Sequence, residues 1–112
     1  MTSTAPCAAS CPPTLPTGRT ATACAQSWQG ERIDNLHQQR GFGVCGSCWE
    51  TDPAKEEEMV QVNVAAMRRL FQFMLRRMQA QGGGTILNVA SSAGLLPGGP
   101  YMAGYYASKA YV

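Results

Sequence analysis

The chain is 112 residues long, 45% hydrophobic and 14% charged, the composition of one small globular domain thin in charge, which excludes a multidomain machine. Nine Lys and Arg against seven Asp and Glu leave a net charge of +2, too weak a field to make nucleic acid or an anionic membrane the expected partner. No apolar run reaches the roughly 18 residues of a membrane span, and Met1 to Cys7 lack the apolar core of a secretory signal, so a cytoplasmic location is expected.

Residues 1–30 carry a single charge, Arg19, and Pro6, Pro12, Pro13 and Pro16 forbid a regular helix there. Residues 1–40 are therefore expected to be irregular, with no assignable fold. Five cysteines (Cys7, Cys11, Cys24, Cys45 and Cys48) make an odd count without an export signal, and reduced thiols are expected. From about Gly41 the text changes to that of an α/β protein, so 41–112 is read as one partial domain.

A helix is predicted from Asp52-Pro53. Asp52 caps free amides, Pro53 suits the first helical position, and Glu56, Glu57 and Glu58 favour the positive end of the helix dipole. Met59, Val60, Val64, Met67, Leu70, Phe71, Met74 and Met78 then recur at the three-and-four spacing of one buried stripe. Arg68, Arg69, Arg76 and Arg77 fall on the remaining surface. Gly82-Gly83-Gly84 ends the helix after roughly 40 Å. The Met and Phe stripe is read as core or as a subunit interface, not as a cofactor box.

Thr85-Ile86-Leu87-Asn88-Val89-Ala90 follows as a strand, apolar enough on both faces to sit inside a parallel sheet covered by helices. Sites in such sheets lie at the carboxyl ends of strands, which here means Ser91, Ser92 and their neighbours. Further on, Tyr105-Tyr106-Ala107-Ser108-Lys109 opens another predicted helix. Tyr105 and Lys109 are four apart and share a face, and an ammonium close to a phenol stabilises its phenolate. A tyrosine acid/base with a lysine beside it is coherent chemistry, but that spacing alone also fits an ordinary exposed turn.

Together, Glu58-Met59-Val60-Gln61-Val62-Asn63-Val64, the strand from Ile86 to Ala90 with Ser91-Ser92-Ala93-Gly94, and Tyr105 to Lys109 closely resemble the short-chain dehydrogenase/reductase family over residues 41–112. The resemblance implies a partial Rossmann-type α/β fold, a doubly wound parallel sheet, and hydride transfer between NAD or NADP and a carbonyl or alcohol substrate. By the same resemblance, Tyr105 exchanges a proton with the substrate oxygen, and Lys109 supports Tyr105 and holds the nicotinamide ribose hydroxyls. Ser91 hydrogen-bonds the substrate carbonyl, and Asn63 kinks its helix and anchors a relay water. Ser92 fits by its spacing to Tyr105, but Ser91 fits by its position after Asn88 and is preferred. In this family the 53–80 helix commonly pairs with its copy, which implies a homo-oligomer.

The family's glycine-rich nucleotide turn has no counterpart here: Thr17-Gly18 is followed by no further glycines that would let the backbone approach a pyrophosphate. His37-Gln38-Gln39-Arg40-Gly41 stands where the family has an Asn-Asn-Ala-Gly turn after its fourth strand. The codons CAT CAA CAA CGC GGN, shifted by one base, spell Ile-Asn-Asn-Ala-Gly, and permitted codons for Cys11 to Gln29 can likewise spell a charged run. Much of 1–40 is therefore read as out-of-frame text, with Ile33 to Leu36 back in frame. On this reading the chain is a catalytic half that is inactive by itself.

Other motifs carry less. Cys45-Gly46-Ser47-Cys48 has redox or zinc spacing but lacks the flanking elements of a thioredoxin site and two further zinc ligands, so no metal is expected. Arg40-Gly41-Phe42-Gly43-Val44 lacks the second aromatic of an RNA-binding strand. Trp28 and Trp49 are read as packing residues.

Overall fold

The computed structural model describes residues 30–112 together with Ala23, Gln26, Ser27 and Trp28. Cys7, Cys11, Cys24 and the Thr17-Gly18 pair lie outside the described residues. In chain order the structure places β1 (Asn35–Gln38), α1 (Pro53–Val60), a π-helical stretch (Gln61–Ala66), α2 (Met67–Ala80), β2 (Thr85–Asn88), a 3₁₀ turn (Ser92–Gly94) and α3 (Ala103–Tyr111).

The two strands pair in parallel, Leu36 opposite Ile86 and Gln38 opposite Asn88. The pairing continues through Val89, whose N–H donates to the Gln38 carbonyl at 2.8 Å. A parallel pair joined through a long helix is the βαβ unit that the α/β reading requires. β1 falls inside the segment expected to be irregular. Its four residues include one apolar side chain, so no periodicity announces it; pairing with β2 and burial of Leu36 create it.

Leu36, Met74 and Met78 form the buried core, with Trp28, Ile33, Leu70, Phe73 and Ile86 packed around them. Trp28 therefore packs, as expected, whereas Trp49 is 85% exposed and does not. The opposite face of the pair is uncovered: Leu87 is half exposed, so β2 is not enclosed on both faces as its composition suggested.

The helix begins and ends as the sequence dictates. Asp52 accepts from the Ala54 N–H at 2.9 Å, and Pro53 occupies the first turn. At the far end Gly82 adopts φ +95°, the Gly83 N–H donates to the Met78 carbonyl at 2.8 Å, and the Gly82 N–H donates to the Gln79 carbonyl at 3.3 Å. This is the six-to-one and five-to-two bonding of a Schellman cap, and it needs a residue free to take positive φ. Between the ends the helix is not uniformly α. Six residues from Gln61 to Ala66 widen to π geometry, which turns Val62 and Asn63 into the interior beside Met59. Val60, assigned to the buried stripe, is pushed outward and is exposed. No helix among the described residues is long and apolar enough to cross a membrane.

Candidate active site

The site is assembled where the π stretch, the loop after β1 and α3 meet. Asn63 is 1% exposed, and its carboxamide is fully engaged. Its Oδ1 accepts from the Phe42 N–H at 3.1 Å, while its Nδ2 donates to the Phe42 carbonyl at 2.9 Å and to Ser108 Oγ at 3.0 Å. Both backbone groups of Phe42 are thus gripped by one side chain, as a strand partner would grip them. Burying an amide this deeply is tolerated because each of its polar atoms has a partner.

Ser108 is equally buried and passes the connection on: its hydroxyl donates to the Tyr105 carbonyl at 2.8 Å, one turn back along α3. A continuous chain therefore runs from the Phe42 backbone through Asn63 and Ser108 to the turn that carries Tyr105. The sequence reading missed Ser108. Its signal was available in retrospect, since a serine three residues after the tyrosine can bond back to the preceding turn.

Lys109 is 6% exposed, unusual for a lysine, and its Nζ donates to the Arg40 carbonyl at 3.3 Å. It also lies 5.8 Å from the centre of the Tyr105 ring, so the expected pairing of Tyr105 with Lys109 on one face of α3 is present. Gly41, at φ +149°, makes this approach possible: a Cβ there would sit 2.6 Å from Lys109 Nζ and 2.9 Å from Asn63 Oδ1. Only glycine fits. Tyr106 meets the Tyr105 ring edge-on with centroids 6.5 Å apart.

Ser91 follows β2 in extended conformation, half-buried, and its Oγ accepts from the Ala93 N–H at 3.2 Å, capping the 3₁₀ turn. That bond leaves the hydroxyl proton free to be donated elsewhere. Ser92 lies within the turn and is exposed. The turn is seated on α3: a Cβ on Gly94 would meet the Lys109 carbonyl at 2.6 Å. Asn63, Tyr105 and Lys109 are thus brought together, with Ser91 at the mouth of the turn packed on the same helix.

A model of the family described as short chain dehydrogenase matches residues 17–112. The chain belongs to the short-chain dehydrogenase family. An uncharacterized oxidoreductase of Thermotoga maritima is 37% identical over 79 residues, 70% of this chain and 31% of that relative. A 7beta-hydroxysteroid dehydrogenase structure superposes with a TM-score of 0.76 at 26% identity, covering 82% of this chain and 36% of the other. A gluconate 5-dehydrogenase from Burkholderia cenocepacia, solved with NADP and tartrate, shares the fold with a TM-score of 0.74 at 24% identity over 84% of this chain and 37% of its own. The chain therefore spans about a third of the length of these relatives, and its fold is part of the family's larger Rossmann-type sheet. The match begins well before Gly41, in keeping with the strand found at Asn35–Gln38.

Among the described residues no group of three His, Cys, Asp or Glu is placed to hold a metal ion.

Proposed function

We propose that this chain carries the catalytic portion of an NAD(P)-dependent oxidoreductase acting on a carbonyl or alcohol. The observation that carries this reading is the buried Lys109 ammonium beside Tyr105, on a helix anchored by Asn63 and Ser108. An ammonium has three donors, and the Arg40 carbonyl takes one, so two remain for a sugar diol such as a nicotinamide ribose. Glycine at position 41 keeps that side of the ammonium clear of side-chain bulk. The residues present thus suit the nicotinamide end of the coenzyme, with Lys109 and Tyr105 as its holders.

When bound, the coenzyme supplies or accepts the hydride. Tyr105 gives its phenolic proton to the substrate oxygen during reduction and takes it back during oxidation, with the Lys109 ammonium 5.8 Å from its ring centre. Ser91, oriented by the Ala93 N–H, donates to the same substrate oxygen. The Asn63 side chain is engaged by Phe42 and Ser108, so it acts by positioning the helix against the loop and α3. A homo-oligomer through α1 and α2 and a cytoplasmic location belong to the same proposal.

A second reading is favoured by the sheet. Among the described residues the sheet has two strands and leaves Leu87 half exposed, which, in a chain spanning about a third of the length of its relatives, suits a catalytic remnant that binds coenzyme only when further strands are supplied. Titration of the purified chain with NADH and NADPH, by nicotinamide fluorescence with circular dichroism alongside, separates the two. Saturable binding, with turnover of a carbonyl panel lost in Tyr105→Phe, supports the first reading. A folded chain that binds neither coenzyme supports the second.

An out-of-frame origin of residues 37–40 is also part of this proposal. It is supported by Gln38, whose Nε2 is buried without a partner across from the equally unpartnered Asn88 Oδ1. The shifted frame puts the shorter asparagine there. Codons other than CAT CAA CAA CGC at positions 37–40 would exclude it.

A further inference from the structure

The loop between β1 and α1 carries two cysteines that the catalytic reading leaves unused. Cys45 and Cys48 are both free thiols and both exposed. Ser47, between them, starts a tight turn: its carbonyl accepts from the N–H groups of Glu50 at 2.8 Å and Thr51 at 3.0 Å. That turn fixes the backbone around Cys48. On the other side, the Gly46 N–H donates to the Tyr101 carbonyl at 2.9 Å, which pins the chain next to Cys45. Both thiols are thus tethered by their neighbours while their own side chains remain open to reagents. Gly46, between the two cysteines, sits at φ +156°, a conformation that L side chains rarely adopt.

We propose that Cys45 and Cys48 are a reversible thiol–disulfide site acting on the loop that walls Tyr105. The co-reactant is a small-molecule disulfide, for example oxidised glutathione. One cysteine thiolate attacks a sulfur of that disulfide, forming a mixed disulfide and expelling one glutathione thiolate. The second cysteine thiolate then attacks the protein-bound sulfur, closing the Cys45–Cys48 bond and expelling the second glutathione. The two cysteines are oxidised, the glutathione disulfide is reduced to two thiols, and the two cysteine protons end on the leaving thiolates.

The ring reaches the catalytic helix through two links. Gly46 is bonded to Tyr101, which is held at φ +65° two residues before α3 begins. Gly43, two residues before Cys45, lies against Met102 and the Tyr105 ring, where a Cβ would come within 2.9 and 3.2 Å. Closing the ring restrains Gly46, and through its bond to Tyr101 and the short Val44 link to Gly43 it stiffens the wall beside Tyr105. An effect on turnover rests on the oxidoreductase reading; formation of the ring does not.

The test is equilibration of the full chain in glutathione buffers stepped from fully reduced to fully oxidised, then acid quench, alkylation, trypsin digestion and mass spectrometry. Cleavage after Arg40 and Lys55 yields a peptide, 41–55, that holds Cys45 and Cys48 and no other cysteine. The expected result is a 41–55 peptide lighter by two hydrogens. Its half-oxidation point should lie on the order of tenfold lower in oxidised glutathione than that of the same peptide free in solution, because the fold has already restrained the ring. Cys45→Ser should convert the product to a glutathione adduct on Cys48. Three results overturn the proposal: glutathione adducts on the native loop without ring closure, pairing of either cysteine with Cys7, Cys11 or Cys24, or ring closure no easier than in the free peptide. None of these readouts requires the coenzyme, so its failure to bind would leave this site standing.

Discussion

The two ends of the βαβ unit are built to different standards. Around Asn63 every buried polar group named has a partner, and the helix, the loop and α3 lock through side chains that lie within residues 41–112. Around the strands, Gln38 Nε2 and Asn88 Oδ1 are buried with nothing to bond, and Leu87 is left in solvent. The difference teaches that the candidate cluster is held by side-chain bonds between helix, loop and α3, whereas the two described strands leave one face in solvent. A candidate site can therefore be legible and assembled beside a sheet whose two described strands leave one face open.

The sharpest break in this contrast is at the shared core. Met74 is fully buried between the helix and the strands, and Met74→Ala should cost about 2–5 kcal/mol and unfold both regions together. Chemical denaturation followed by circular dichroism reads this directly. Next comes Asn63→Ala, which orphans the Phe42 N–H and carbonyl and removes the donor to Ser108. A loss of about 1–3 kcal/mol is expected, with β1 and β2 still paired.

How much of this was written in the sequence depends on where each feature draws its stability. The Asp52-Pro53 start, the Gly82-Gly83 stop and the Tyr105–Lys109 pair were readable because capping and helix spacing are local rules. The π stretch was not readable as such. It exists because Asn63 is drawn onto the Phe42 backbone, a partner 21 residues away, and no helical periodicity records that pull. β1 was hidden from periodicity for the same reason, since Asn35-Leu36-His37-Gln38 becomes a strand against β2, and only the resemblance, with a turn after a strand at His37 to Gly41, pointed to it. Ser108 could have been found from its bond back to the Tyr105 carbonyl, which follows a local rule, but its bond to Asn63, 45 residues away, leaves no mark in helix spacing.

Smaller effects sharpen the contrast on the sheet side. Gln38→Met keeps the length of the side chain and removes the orphaned donor, so thermal unfolding should show a gain of about 1 kcal/mol where most buried substitutions lose stability. Leu87→Thr, on the uncovered face, should stay within about 0.5 kcal/mol of the parent chain in the same assay. A large loss there would mean that the face is covered after all.

The central claim is that Asn63 holds the Phe42 backbone and so assembles the site without help from further strands. Amide hydrogen exchange of the 112-residue chain, resolved by residue with nuclear magnetic resonance, tests it most directly. The account predicts a slow Phe42 amide that becomes fast in Asn63→Ala while the Val89 amide, bonded to Gln38, keeps its protection. A Phe42 amide already exchanging in the parent chain as fast as that of exposed Trp49 would contradict it.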